Sequence, residues 1–178
     1  QCFFQPRSLA LVGATDREGS VGRAVLENLR AFAGRVFPVN AKRDKVLGLP
    51  AFASLSVLPE VPDLVVIVTP AATVPSLVEE AGQLGVKAVV VISAGFKEAG
   101  AEGGRIEAEV IAAAKRHGTR LIGPNCLGLM NPHAGLNATF ATSMARPGRV
   151  AFLSQSGALC TAILDWSHEQ NVGFSALV

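Results

Sequence analysis

Ser154, Gln155, Ser156 and Gly157 stand between a short apolar run and a helix-forming run. Small residues, hydroxyls and free backbone N–H groups at a helix start suit an anion, because the helix dipole also favours negative charge there. The plainer alternative is that Ser156 simply caps its helix. A second candidate lies near the other end, in Gly13-Ala14-Thr15-Asp16-Arg17-Glu18-Gly19-Ser20-Val21-Gly22. Glycines in such a loop let the backbone approach a phosphate. The usual dinucleotide spacing is G-x-G-x-x-G. Here five residues separate Gly13 from Gly19, and only Gly19-x-x-Gly22 keeps the pattern.

The next strand end narrows the chemistry. NAD enzymes place Asp or Glu there to hold the ribose hydroxyls. This chain has Val39-Asn40-Ala41-Lys42-Arg43 instead. Two cations point to an additional phosphate, since charge-assisted contacts to phosphate are strong. NADP and coenzyme A both carry one on the adenosine ribose; otherwise Lys42 and Arg43 are solvated loop charges. Cys126 would be a nucleophile only as a thiolate, and no neighbouring residue supplies a base. A small buried residue is the expectation. His117, His133 and His168 read as structural or surface groups, as do Lys97, Glu98 and Glu102, so no catalytic residue is assigned.

Alternating apolar runs and helical periodicities must position these loops. Strands are expected at Ser8–Val12, Arg35–Val39, Leu64–Val68, Lys87–Ile92 and Arg120–Ile122. Helices are expected at Val21–Phe32, Thr73–Leu84 and Ala101–His117, with Gly85 and Gly118 as stops. The alternation predicts an α/β fold with a Rossmann-like, doubly wound parallel sheet. Pro124–Pro147 is rich in Asn, Gly and Pro without sustained periodicity and reads as a linker. A strand at Arg149–Leu153, a helix at Ala158–Glu169 and a strand from Phe174 then begin a second, flavodoxin-like α/β domain. The expected division is 1–124, 125–147 and 148–178. The chain starts at Gln1 and stops on a strand just begun, so a fragment of a longer protein is expected.

Bulk properties exclude several classes. Of the 178 residues, 49% are hydrophobic and 17% charged, with a formal net charge of +2. That balance does not favour nucleic acid, which would call for a clustered basic face. No apolar run is long enough for a membrane span, and no signal-peptide layout opens the chain. Cys2, Cys126 and Cys160 fit neither a disulfide framework nor a zinc pattern. No metal site is assigned, and a reducing cytoplasm is the simple reading.

Read in order, the motifs resemble the nucleotide-diphosphate-forming acyl-CoA synthetase family, to which the α subunit of succinyl-CoA synthetase belongs. The resemblance rests on the long glycine loop and on Pro38-Val39-Asn40-Ala41-Lys42, where Ala41 replaces the usual Pro. It continues through Val68-Thr69-Pro70-Ala71, Ser93-Ala94-Gly95-Phe96, Gly123-Pro124-Asn125-Cys126-Leu127-Gly128 and Leu136-Asn137-Ala138-Thr139-Phe140, and ends at Ser154-Gln155-Ser156-Gly157-Ala158-Leu159. It implies that coenzyme A lies across the C-terminal strand edge. Its phosphates would sit near Gly13, Thr15 and Lys42, with Ala14, Arg17, Gly19, Val39 and Asn40 also assigned to cofactor binding. Its pantetheine arm would pass Thr69, Pro70, Ala71, Ser93, Ala94, Gly95 and Phe96 toward Asn125 and Cys126. Ser154, Gln155, Ser156 and Gly157 would hold the phosphate of an acyl phosphate or of phosphohistidine.

The catalytic histidine would follow Val178. ATP or ADP and Mg2+ would bind other parts of the parent protein, with an ATP-grasp domain or subunit as partner and an oligomeric assembly expected. An alternative from the same resemblance is the non-catalytic acyl-CoA-sensing region of a protein lysine acetyltransferase. An NADP-dependent dehydrogenase explains the first loop but not Gly123–Gly128 or Ser154–Gly157. A stand-alone CoA-binding protein would end near the fifth strand.

Overall fold

Strand β1, Ser8–Val12, is buried along its whole length. Such a strand needs cover on both faces, which a parallel sheet between helices provides. The computed structural model, which describes residues 2–178, supplies that cover. Helix α1 spans Val21–Asn28, with Ser20 Oγ accepting from the Arg23 amide at its N-terminus. Strand β2 is Arg35–Val39. A small antiparallel pair follows, β3 at Lys45–Val46 and β4 at Leu49–Pro50. Then come β5 (Leu64–Ile67), α2 (Val74–Gln83), β6 (Ala88–Val91), α3 (Ala101–His117) and β7 (Arg120–Ile122). The parallel sheet runs β2-β1-β5-β6-β7, as the alternation predicts.

The period of two along the strands divides the core. Ala10, Val12, Val65, Ile67, Val89 and Val91 pack with residues of α2 and α3. Leu9, Leu11, Leu64, Val66, Ala88 and Val90 pack on the other side with Val25, Leu26 and Leu29. That second face is completed by Leu129, Leu136 and Ala138, from the segment expected to be a linker.

There the structure corrects the sequence reading. Strand β8, Gly128–Asn131, and strand β9, Leu136–Thr139, form an antiparallel hairpin. Each is four residues long, and Asn131 and Asn137 interrupt its apolar pattern, so period-two alternation is too brief to read. Tertiary contacts stabilise it instead. Asn28 Nδ2 donates to the carbonyls of Thr139 and Ala141 at 2.9 and 2.8 Å. Asn131 Nδ2 donates to the Phe4 carbonyl at 2.6 Å.

The hairpin also belongs to a second sheet. Strand β10, Pro147–Phe152, and strand β11, Phe174–Leu177, run parallel, joined by helix α4 at Gly157–Glu169. Strand β11 pairs antiparallel with β8, giving the order β10-β11-β8-β9. Two further boundaries differ from expectation. Helix α1 stops at Asn28 and tightens into a 3-10 turn at Leu29–Ala31 instead of continuing to Phe32. A 3-10 turn at Ala71–Thr73 precedes α2. Gly85 and Gly118 close their helices with φ of +84° and +66°. No helix is long and apolar enough to cross a membrane among the described residues.

Candidate functional site

The glycine loop is held against the sheet by contacts only glycine permits. Gly13 has φ +98°, and a Cβ there would meet Val68 and Thr69 side-chain carbons at 2.9 Å. A Cβ on Gly22 would stand 2.2 Å from the Gly13 carbonyl oxygen, so the first turn of α1 touches the end of β1 directly. Thr15 Oγ1 accepts from the Arg17 amide, and Arg23 Nη1 donates to the Asp16 carbonyl at 2.9 Å. Ala14 is fully buried in the core.

Asn40 ties this loop to β2. Its Nδ2 donates to the Ala14 carbonyl at 2.8 Å, and its Oδ1 accepts from the Lys42 amide at 2.9 Å. Asn40 therefore links the glycine loop to the turn that follows β2. The two cations then separate. Arg43 Nη1 is paired with Asp16 Oδ2 at 2.7 Å, while Asp16 Oδ1 accepts from the Leu47 amide. Lys42 has no ion-pair partner among the described residues. It lines a hollow of about 350 Å³ with Gly13, Val39, Asn40, Thr69 and Pro70.

Thr69 and Pro70 also border a larger cavity of about 750 Å³. Ser93, Ala94, Asn125 and Cys126 line it on one side, and Gln155, Gly157 and Ala158 on the other. The two hollows thus adjoin along the C-terminal strand edge, where open α/β sheets bind ligands.

Some expected contacts lie elsewhere. Thr15, Arg17, Ala71, Gly95 and Phe96 line neither hollow, and Gly19 lines a shallow groove beside α1. Phe96 is 0% exposed and packs in the core with Val74 and Val110. The neighbouring backbone is held by Glu98, whose Oε1 accepts from the Gly95 and Phe96 amides at 2.7 and 3.2 Å. The Gly95 amide, foremost, holds the Glu98 carboxyl below its usual range. Glu98 is therefore a cap on this turn rather than a purely solvated charge. Val21, Leu127 and Phe140 stand in the quoted motifs but were not assigned to the site, and Thr161 lies outside those motifs; all four line the large cavity. Position alone could have flagged Val21, the first helical residue after the glycine loop.

Asn125 adopts φ +53°, a left-handed conformation that Asn tolerates. Its amide donates to the Ser93 carbonyl at 2.9 Å, so the Ser93 and Asn125 turns are locked together. Cys126 Sγ donates to the Val91 carbonyl at 3.3 Å. Burial pushes its thiol up to about 11, against weaker opposing hydrogen bonds from backbone amides. A raised pKa keeps the thiol protonated until pH approaches that value, leaving on the order of one thiolate in a few thousand at pH 7.5. Cys126 should therefore escape iodoacetamide at pH 7.5 under conditions that alkylate the exposed Cys2. Peptide mapping showing equal labelling of the two would refute the inert assignment.

At the second site Ser156 caps α4, its Oγ accepting from the Leu159 amide at 3.3 Å. Ser154 Oγ accepts from the Ser156 amide at 3.0 Å. Capping by Ser156 leaves room for the expected anion role, since Gly157 and Ala158 of the first turn line the cavity and first-turn amides lack intrahelical acceptors. The three histidines serve as tethers. His117 Nε2 meets Glu79 Oε1 at 2.7 Å, His133 Nε2 the Gly148 carbonyl at 2.8 Å, and His168 Nε2 Ser143 Oγ at 3.1 Å. No cluster of three or more metal-ligating side chains occurs among the described residues.

A glycine-rich strand edge continuing into a long polar-and-apolar cleft is the architecture of an α/β ligand-binding module. The chain belongs to the CoA binding domain family, which matches residues 7–132, and residues 147–178 match the succinyl-CoA ligase like flavodoxin domain. Among curated relatives, acetate–CoA ligase [ADP-forming] I of Archaeoglobus fulgidus is 49% identical over 99% of this chain and 26% of its own length. The acetate–CoA ligase [ADP-forming] II subunit alpha of Pyrococcus furiosus is 45% identical over 99% of this chain and 38% of its own. A solved acetyl-coenzyme A synthetase 1 of Ca. Korarchaeum cryptofilum, in complex with phosphate and ADP, superposes with a TM-score of 0.93 at 38% identity. That match covers 98% of this chain and 38% of the other. The chain thus spans between a quarter and two fifths of these relatives. They are ligases, and the acetyltransferase reading finds no support among them.

Proposed function

We propose that this chain is the CoA-binding portion of an ADP-forming acyl-CoA synthetase, which interconverts acyl-CoA, phosphate and ADP with acid, CoA and ATP. The observation that carries the reading is the adjoining pair of hollows that runs from Lys42 and Gly13 past Pro70 to the first turn of α4. An adenosine ribose phosphate would sit beside Lys42, and the diphosphate at the glycine loop, whose Gly13 and Gly22 let β1, β5 and α1 come together without a Cβ between them. The pantetheine arm then lies along Ser93, Ala94 and Asn125. Its thioester would reach the α4 N-terminus, whose first-turn amides favour a phosphate dianion.

Phosphate attack on the thioester carbonyl would release CoA and leave an acyl phosphate at Gly157 and Ala158. The phosphoryl group would pass to a histidine of the parent protein and then to ADP with Mg2+ in an ATP-grasp domain or subunit. This chain contributes position and fixed dipoles rather than a covalent group. The Pyrococcus furiosus relative is itself an alpha subunit, which supports a multi-subunit parent. Free Cys2, Cys126 and Cys160 suit a reducing cytoplasm.

Calorimetric titration with CoA, dephospho-CoA, NADP and NAD tests the reading. CoA should bind more tightly than dephospho-CoA. Lys42→Ala should erase that difference by weakening CoA roughly tenfold or more, the worth of a charged hydrogen bond. Binding of NADP without a response to CoA would return the first domain to the dehydrogenases.

A further inference from the structure

Val21 and Phe140 are large apolar side chains that remain 40% and 42% exposed. They come from distant parts of the chain, the first turn of α1 and the residue after β9, yet they meet at one place. Both line the large cavity, and both also line the groove of about 420 Å³ beside α1. They therefore form the partition between the two hollows. The same cavity is lined by Gly157, Ala158 and Thr161 of α4, at and just after the helix start. None of the residues lining the large cavity carries a charged side chain. On the groove side, Glu18 and Glu27 are present, and Arg23 is already paired with both.

We propose that Val21 and Phe140 form the wall against which the acyl group of the thioester rests, and that this subsite selects an uncharged acyl chain and limits its length. The proposal builds on the CoA-site reading, which fixes the thiol end of the ligand near Asn125. An alkyl chain there exchanges water for the Phe140 ring and the Val21 methyls. A chain ending in a second carboxylate would lose hydration against this wall without gaining a cation, and it could use the anion-favouring start of α4 only in competition with the phosphate. Beyond the partition it would meet the Glu18 and Glu27 carboxylates, with Arg23 already engaged.

Titration of this chain with CoA, acetyl-CoA, butyryl-CoA and succinyl-CoA tests the wall. Butyryl-CoA should bind roughly tenfold more tightly than acetyl-CoA, as expected for methylenes removed from water. Succinyl-CoA, of similar length, should lose that advantage. Phe140→Ala should abolish the butyryl preference while leaving the dissociation constant for CoA within about twofold, and Phe140→Leu should restore most of it. Circular dichroism of both variants confirms folding, which the exposure of Phe140 favours. Equal binding of butyryl- and succinyl-CoA would overturn the proposal, as would a Phe140→Ala loss that falls equally on CoA. In both cases CoA binding itself leaves the CoA-site reading standing. Failure of unmodified CoA to bind would overturn that reading and the wall with it.

Discussion

Gly22→Ala removes CoA binding and lowers stability by about 2–3 kcal/mol, the cost of forcing atoms into a filled space. The sign is decided by two opposed effects. Alanine in a helix is intrinsically favoured over glycine by roughly 0.5–1 kcal/mol. At Gly22, however, the added methyl would lie 2.2 Å from the Gly13 carbonyl oxygen and 3.3 Å from Thr15 Cγ2. Backbone cannot yield as a flexible side chain can, so α1 must move away from the glycine loop. Gly104→Ala is the matched control, because a Cβ there meets nothing within 4 Å and the residue lies within α3. Denaturant unfolding and CoA titration on both variants check the contrast. Wild-type affinity in Gly22→Ala would show that the loop does not depend on this contact.

Phe96→Ala should be as damaging, for a different reason. The ring is fully buried among Val74, Val91 and Val110 on the α2–α3 side of the sheet. Truncating a buried Phe to Ala costs about 3–5 kcal/mol in lost transfer energy and cavity formation. Yet saturating CoA should still raise the unfolding midpoint of the variant, since ligand stabilisation depends on the dissociation constant and not on the starting stability. A stable variant that no longer responds to CoA would reverse the assignment and make the ring a ligand contact.

That contrast shows where sequence reasoning reaches. The Ser93–Phe96 motif places a turn at the ligand edge, and Ser93 and Ala94 do line the cavity. The motif does not say which side chain turns inward, because a pattern of types carries no direction. The strands Leu64–Ile67 and Ala88–Val91 were legible because unbroken β-branched runs suit burial on both faces. The hairpin 128–139 was not, because its strands are brief and its stability comes from Asn28 and Phe4, more than a hundred residues away. Lys42 and Arg43 were equivalent as adjacent cations until Asp16 claimed one of them. That distinction is set by a loop crossing and appears only in three dimensions.

The hairpin's double membership has a mechanical consequence. Strands β8 and β9 cover one face of the parallel sheet and also extend the sheet formed by β10 and β11. A hinge between the two halves would have to break either apolar packing or a backbone ladder. The β11–β8 pairing at Leu177 and Met130 and the apolar packing around it therefore oppose a change in the spacing between the Asn125 turn and the α4 start, as a stop opposes the jaws of a gauge. A ligand spanning it gives up its own freedom on binding but does not have to order the protein around itself, which leaves more of its contact energy to appear as affinity.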